Sequence, residues 1–189
     1  MSVPALAPFT TVLDLAAGAL EPQRKLVERT LGDMQGMYAV PVPDQREREV
    51  VYRVSEVPTP LVEGNLLCST TTIEPGTVDG EFHMTKGHFH AKLDRAEIYL
   101  TLAGEGRLVM ATEGGEPAIE PMRRGTVNYV PGGWAHRSVN VGAEPLVFFA
   151  VFPADAGYDY KTIEEQGFPV LVVDRDGEPE ILPNPRYRG

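Results

Sequence analysis

Gly87-His88-Phe89-His90-Ala91-Lys92-Leu93-Asp94-Arg95-Ala96-Glu97-Ile98-Tyr99-Leu100-Thr101-Leu102-Ala103-Gly104-Glu105-Gly106 is the stretch on which the reading of this chain turns. Side chains at i and i+2 on a strand share a face, so His88 and His90 form a pair of imidazoles pointing one way. Glu97 opens the next apolar run, Ile98 to Leu102, which ends at Gly104 and Gly106. A later run begins at Gly125 and passes through the turn Pro131-Gly132-Gly133 into another strand that carries His136 and Asn140. Of the four histidines in the chain, three lie in these two runs. Buried, hydrogen-bonded core histidines are the bland alternative. The combination of His88, His90, Glu97 and His136 instead favours a divalent metal of intermediate softness, with coordination positions left open for substrate oxygens or water. His83 has no partner at ligand spacing and is read as a surface or packing residue.

The same texture extends to both sides. Val50 to Val54, Asn65 to Thr71, Ile98 to Leu102, Gly106 to Met110, Thr126 to Val130 and Pro145 to Val151 are short runs separated by Pro/Gly turns. They predict an all-β antiparallel sandwich or small barrel rather than a βαβ sheet. Residues 11–35 read as helical, with Pro22 in the first turn, Leu26, Val27 and Leu31 at helical spacing and Gly32 as the stop, forming an appendage outside the barrel. Asp159 to Gln166 reads as a short helix capped by Asp159 and stopped by Gly167. Val170 to Val173, the turn Asp174-Arg175-Asp176-Gly177 and Ile181-Leu182 then make a hairpin.

At 189 residues the chain predicts one domain: an N-terminal extension over 1–48, a core over 49–153 and C-terminal elements over 154–189. A single cysteine, Cys68, excludes an internal disulfide framework and points to a reducing compartment, so a cytoplasmic location is expected. Met1 to Leu20 carries Pro4, Pro8 and Asp14 and fits neither a signal peptide nor a membrane span. A net charge of −10 argues against nucleic acid and acidic membranes as partners. An anionic substrate would therefore need a locally positive site.

Around the histidines, Thr71, Thr85 and the Gly87 N–H could cradle a phosphate, since hydroxyls donate and a glycine lets an anion approach the main chain. Ordinary strand threonines account for the same residues equally well. Lys86 and Lys92 are placed on the outer face. Tyr52, Tyr99 and Tyr160 suit either core packing or hydrogen bonds to a sugar. Glu97 can be a ligand, a base, or both.

The run at Gly125, Pro131, Gly133, His136 and Asn140 resembles the second cupin signature at every spacing. The first signature is met only in part, because Phe82 stands where cupins usually carry glycine and Glu97 lies far from His90. Both departures are those of a narrower group that the chain resembles, the cupin-type glucose-6-phosphate isomerases. Their long motif is met by Thr72, Pro75, Glu81, Thr85, Gly87, His88, His90, Glu97, Tyr99, Leu102, Gly104 and Gly106. The resemblance implies a cupin double-stranded β-helix and a homodimer that interconverts glucose 6-phosphate and fructose 6-phosphate in glycolysis and gluconeogenesis. It implies one metal per subunit on His88, His90, Glu97 and His136, with Fe²⁺ first and Mn²⁺, Ni²⁺, Co²⁺ or Zn²⁺ also compatible. Thr71, Thr85 and Gly87 would meet the phosphate, and Tyr52, Tyr99 and Tyr160 the sugar; for that activity Glu97 is expected to carry the proton between C2 and C1, and a metal-assisted hydride shift with Glu97 in a supporting role is the alternative the sequence leaves open. The chain departs from the family's pattern at Gly133, Phe152 and Tyr158, where an aromatic, a tyrosine and a histidine are expected. The rival readings are an acireductone-type cupin dioxygenase and a non-catalytic sugar-binding cupin.

Overall fold

The structure is a computed structural model that describes residues 6–15, 17–21 and 25–189. In chain order the first strands are β1 (Val12–Leu13), β2 (Leu20–Glu21), β3 (Lys25–Thr30), β4 (Val50–Val57) and β5 (Leu66–Ile73). There follow β6 (Thr77–Val78), β7 (Glu81–Phe82), β8 (Glu97–Ala103), β9 (Glu105–Thr112) and β10 (Pro117–Arg123). The chain ends through β11 (Val127–Val130), β12 (Trp134–Asn140), β13 (Leu146–Pro153), α1 (Tyr160–Gln166), β14 (Val170–Arg175) and β15 (Glu178–Pro183).

Every pairing is antiparallel, and the strands make two main layers. A six-stranded sheet runs β11-β8-β13-β5-β4-β3, and a three-stranded sheet runs β10-β9-β12. One cluster of buried side chains fills the space between them, with Ile73, Tyr99 and Phe148 from the first sheet and Leu108, Met110 and Val139 from the second. The arrangement is the all-β antiparallel sandwich that the short alternating runs predict. The sheets are not hydrogen-bonded continuously into a closed barrel. A four-stranded sheet, β15-β14-β7-β6, and the small β1-β2 pair complete it.

Turn chemistry explains two motif residues. Gly104 has φ +76°, and a Cβ there would come 2.4 Å from the Pro145 carbonyl oxygen, so the β8–β9 turn can pack against the start of β13 only with glycine. Asn140 is fully buried: its amide donates to the Ile73 and Glu144 carbonyls at 2.9 and 3.0 Å, and its oxygen accepts from the Gly142 N–H at 3.0 Å. It closes the β12–β13 turn and ties it to the opposite sheet.

The C-terminal expectations hold. Asp159 caps α1 through the Thr162 N–H and hydroxyl, Gly167 ends the helix, and β14 and β15 pair across the Asp174–Gly177 turn. The N-terminal expectation does not. Where residues 11–35 were expected to be helical, the described part forms β1, β2 and β3 with only a 3₁₀ turn at Gly32–Met34; Pro22 lies outside the described residues. Leu26 and Val27, which suggested a helix face, point to opposite sides of an edge strand, Leu26 remaining 53% exposed. Pairing with β4 overrides the local pattern, and β3 joins the main sheet instead of lying apart from it.

Replacing Asn140 by alanine is expected to leave the Ile73 and Glu144 carbonyls and the Gly142 N–H without their partner. The cost should be about 2–4 kcal/mol, read as a lower denaturant midpoint with an unchanged slope.

Candidate metal centre

The two histidine runs meet through the main chain. The His136 N–H donates to the His88 carbonyl at 3.0 Å, and the His88 N–H to the His136 carbonyl at 3.2 Å, an isolated antiparallel bridge. Residues 87–91 form no regular strand, yet this bridge and the adjoining one between Phe89 and Asp159 keep the segment extended. Alternation therefore still holds, and His88 and His90 turn to one side. Glu97 joins them from the start of β8 and His136 from β12.

One ligand atom from each of these four residues lies within 4.8 Å of every other. Glu97, His90 and His136 are buried, and His88 is partly so. His90 Nδ1 donates to the Arg95 carbonyl at 2.8 Å, which leaves Nε2 as the lone-pair nitrogen. His136 Nδ1 does the same towards the Trp134 carbonyl at 3.2 Å. The Nε2 atoms of His88 and His136 are buried with no hydrogen-bond partner; His136 Nε2 is 3.0 Å from Glu97 Oε2, but not aligned for a hydrogen bond. Orphaned lone pairs converging beside a carboxylate fit a divalent cation, and the donor set suits the middle of the first transition row.

The electrostatics agree. Burial alone would raise the Glu97 pKa, but contacts with His136 and His90 outweigh it and hold the carboxyl at about 2. Burial, together with the neighbouring His136, pushes His88 well below the usual imidazole range, so it is a neutral ligand. In His90 burial lowers the pKa, but the Glu97 carboxylate 3.3 Å from Nε2 and the Arg95 carbonyl outweigh it and favour the protonated ring when no cation is bound.

The cluster opens on a cavity of about 230 Å³, sized for one small ligand rather than a polymer. Tyr52, Thr71, Thr85, Gly87, Tyr99 and Tyr160 all line it, beside His88, Glu97 and His136. Tyr99 is buried next to Glu97, and burial raises its phenol far above the ordinary range, so it stays a neutral donor. Thr85 Oγ1 accepts the Ser138 N–H at 3.1 Å, which leaves its own proton free to donate. Gly87 has φ +76°, and a Cβ there would meet the Phe168 ring at 2.6 Å and the His136 carbonyl at 3.1 Å. Beneath it the buried Arg137, lying over the Phe168 ring, donates to the Lys86 carbonyl at 2.6 Å. Because a trans peptide sets its N–H opposite its C=O, this bond turns the Gly87 N–H away from Arg137.

Some of the lining lay outside the sequence reading. Lys86 lines the cavity and pairs with Glu164 at 3.3 Å, instead of standing on an outer face; Lys92 is on the surface, paired with Asp155. Lys25, Val27 and Arg29 of β3 form one wall, missed because that stretch read as helix. The run Lys25-Leu26-Val27-Glu28-Arg29-Thr30 does not alternate between charged and aliphatic residues, so no local pattern marks it as a strand. Two of the departures from the family pattern also line the cavity. The Tyr158 ring is 4.9 Å from His88, edge on, and stacks with Tyr160 at 5.6 Å, while Phe152 stacks at 6.4 Å on His90. Gly133 faces open space.

Residues 28–182 match the sequence profile described as glucose-6-phosphate isomerase. The chain belongs to the glucose-6-phosphate isomerase family. It is 46% identical over 185 residues to the glucose-6-phosphate isomerase of Pyrococcus horikoshii, covering 96% of this chain and 97% of that one. With that of Thermococcus gammatolerans it is 47% identical over 183 residues, covering 95% and 96%. Among solved structures, oxalate decarboxylase from Bacillus subtilis superposes on 57% of this chain and 26% of its own at 24% identity and a TM-score of 0.44. That likeness is too slight to add to the argument. Loop 91–96 fills the span between His90 and Glu97.

That loop is clamped by Asp155, whose side chain is 6% exposed and accepts from Lys92 at 2.6 Å and Arg95 at 2.8 Å. Arg95 and Lys92 hold its carboxyl well below the usual carboxylate range. A depressed pKa stabilises the fold above the unfolded value of about 4, and the contribution is lost as the pH falls towards the folded one. The Tm gap between the wild type and Asp155→Asn is therefore expected to be full at pH 6–7 and to narrow below about pH 4. A gap constant across that range would show the clamp to be energetically idle.

Proposed function

We propose that the chain interconverts glucose 6-phosphate and fructose 6-phosphate as a metal-dependent aldose–ketose isomerase. The observation that carries this is the buried His88, His90, Glu97 and His136 cluster at one side of a cavity whose other walls offer hydroxyl and main-chain donors. A divalent cation held by these four residues supplies electrostatic stabilisation of negative charge developing on the O1 and O2 oxygens of the open-chain sugar. Fe²⁺ is the proposed metal, and the donor set also accepts Mn²⁺, Ni²⁺, Co²⁺ or Zn²⁺.

The chain's own residues do the rest. Glu97, ionised throughout the neutral range, takes the proton from C2 and returns it at C1. Tyr99, Tyr52 and Tyr160 hydrogen-bond the sugar as neutral phenols, and Phe148 and Phe152 help keep water from the reacting carbons. Thr71, the Thr85 hydroxyl proton and the Gly87 N–H receive the phosphate. Tyr158, whose pKa burial also raises, donates a hydrogen bond at the mouth where family members carry a histidine.

A homodimer in the cytoplasm, working in glycolysis and gluconeogenesis, belongs to the same proposal. Single-cysteine usage supports the compartment. The dimer is supported by the outer face of the six-stranded sheet, where Ile98, Val127 and Tyr129 are 44%, 64% and 61% exposed in adjacent strands. No helix of the described residues is long and apolar enough to cross a membrane.

The decisive experiment assays fructose 6-phosphate conversion in D₂O with Fe²⁺, Mn²⁺ or Ni²⁺, together with oxygen uptake. The expected result is metal-dependent isomerisation without oxygen consumption, and deuterium at C2 of the product would mark exchange of the Glu97 proton with solvent between its two transfers. His136→Ala is expected to lose metal content and activity together while remaining folded. Oxygen uptake without isomerisation would make the chain a dioxygenase, and metal binding with neither activity a sugar-binding cupin.

Thr71→Val provides a clean test of the phosphate contact, because the Thr71 side chain lines the cavity and makes no hydrogen bond among the described residues, so its loss orphans nothing. Substrate binding is expected to weaken by about 1.5–3 kcal/mol, the range for hydrogen bonds to charged groups, with metal content unchanged. Equal binding of glucose 6-phosphate by variant and wild type would remove Thr71 from the site.

A further inference from the structure

The cavity's charges are mostly neutralised in pairs. Lys25 reaches Glu56 at 3.3 Å and Lys86 reaches Glu164 at 3.3 Å. Arg29 stands differently. Its side chain enters the cavity from β3, directly across from Tyr52 on β4, and the residue is half-buried. Among the described residues no carboxylate forms an ion pair with it. Asp33, the carboxylate that feels its charge, is turned instead to the Thr30 N–H and hydroxyl, at 2.9 and 3.2 Å.

Its position relative to the Gly87 turn follows from a shared neighbour. The Tyr52 phenol, raised in pKa by burial, is influenced in the other direction by both the Lys86 main chain and the Arg29 charge. The Tyr160 phenol also feels Arg29. Arg29, Tyr52, Tyr160 and the Lys86 main chain therefore share one part of the cavity wall. A half-buried guanidinium left without a counter-ion, in a protein of net charge −10, is a site for a diffusible anion. Its planar fork of N–H groups matches the paired oxygens of a phosphate.

We propose that Arg29 is a substrate-binding residue that takes the dianionic end of the ligand, completing a cradle whose neutral donors are Thr71, Thr85 and the Gly87 N–H. This rests on the phosphosugar reading above and adds to it the one full positive charge that the neutral donors lack. It also gives the N-terminal strand a role in choosing phosphorylated over neutral sugars.

The test uses the full-length, metal-loaded protein with Arg29→Gln, Arg29→Lys and, as a control for net charge, Lys161→Gln on the exposed face of α1. Arg29→Gln is expected to raise the KM for fructose 6-phosphate and the inhibition constant of inorganic phosphate by about 10- to 100-fold, with kcat within about two-fold and metal content unchanged. Arg29→Lys should recover part of the loss, and Lys161→Gln should match the wild type. A KM and phosphate inhibition constant in Arg29→Gln equal to those of the wild type would overturn the assignment while leaving the isomerase reading intact. So would a loss no larger than that of Lys161→Gln. Calorimetric titration with inorganic phosphate separates the two claims. Phosphate binding lost in Arg29→Gln, in a protein without isomerase activity, would keep the anion site and discard the reaction; phosphate binding equal in both proteins would discard the anion site.

Discussion

The bridge between His88 and His136 is the constraint on which the site depends. Two main-chain hydrogen bonds, at 3.0 and 3.2 Å, register one ligand-bearing run against the other across the chain. Because the bond belongs to the backbone, it fixes both imidazoles at the same height before any metal is considered. Everything around it protects that register. Thr85 takes the Ser138 N–H on one side, and the neighbouring bridge from Phe89 to Asp159 brings the start of α1, with Tyr158 and Tyr160, over the mouth of the cavity. A slip of one residue would turn His136 to the far face of β12 and bring Arg137 in its place.

The buried Arg137 aims a neighbouring group more than it stabilises the fold. Arg137 is removed from water at a cost, and burial pulls its pKa down to about 10. Its Nε has no partner, while its other nitrogens hold the Lys86 carbonyl and the Met84 sulfur. A hydrophobic residue of similar volume would serve the core as well. What it would not do is orient the Lys86–Gly87 peptide.

The histidines of the candidate metal cluster could be picked out of the sequence because each sits where a local rule decides its direction. His88 and His90 obey strand alternation even without a regular strand, and His136 follows a Pro/Gly turn that admits few paths. Thr71, Tyr52 and Tyr99 could be named as candidates, but only the facing of the sheets shows that they share one cavity. The N-terminal wall was not legible. Leu26, Val27 and Leu31 satisfy helical spacing about as well as they satisfy an edge strand, and pairing with β4, a long-range interaction, decides between the two. Lys86 was misplaced for a related reason: the Gly87 turn, with its positive φ, breaks the alternation that would have put it outside.

That wall has a kinetic side. No residue of β3 is buried, and it is paired along only one edge, whereas β13 is held on both sides and is largely buried. Local opening is cheapest where few apolar contacts must be broken, so the amide hydrogens of β3 should exchange soonest within the main sheet. A ligand held by this strand lends it contacts that the bare fold lacks, and so slows that exchange. With the phosphate held by Arg29 as proposed, the site would have one rigid half around the candidate metal cluster and one yielding half whose order rises with occupancy.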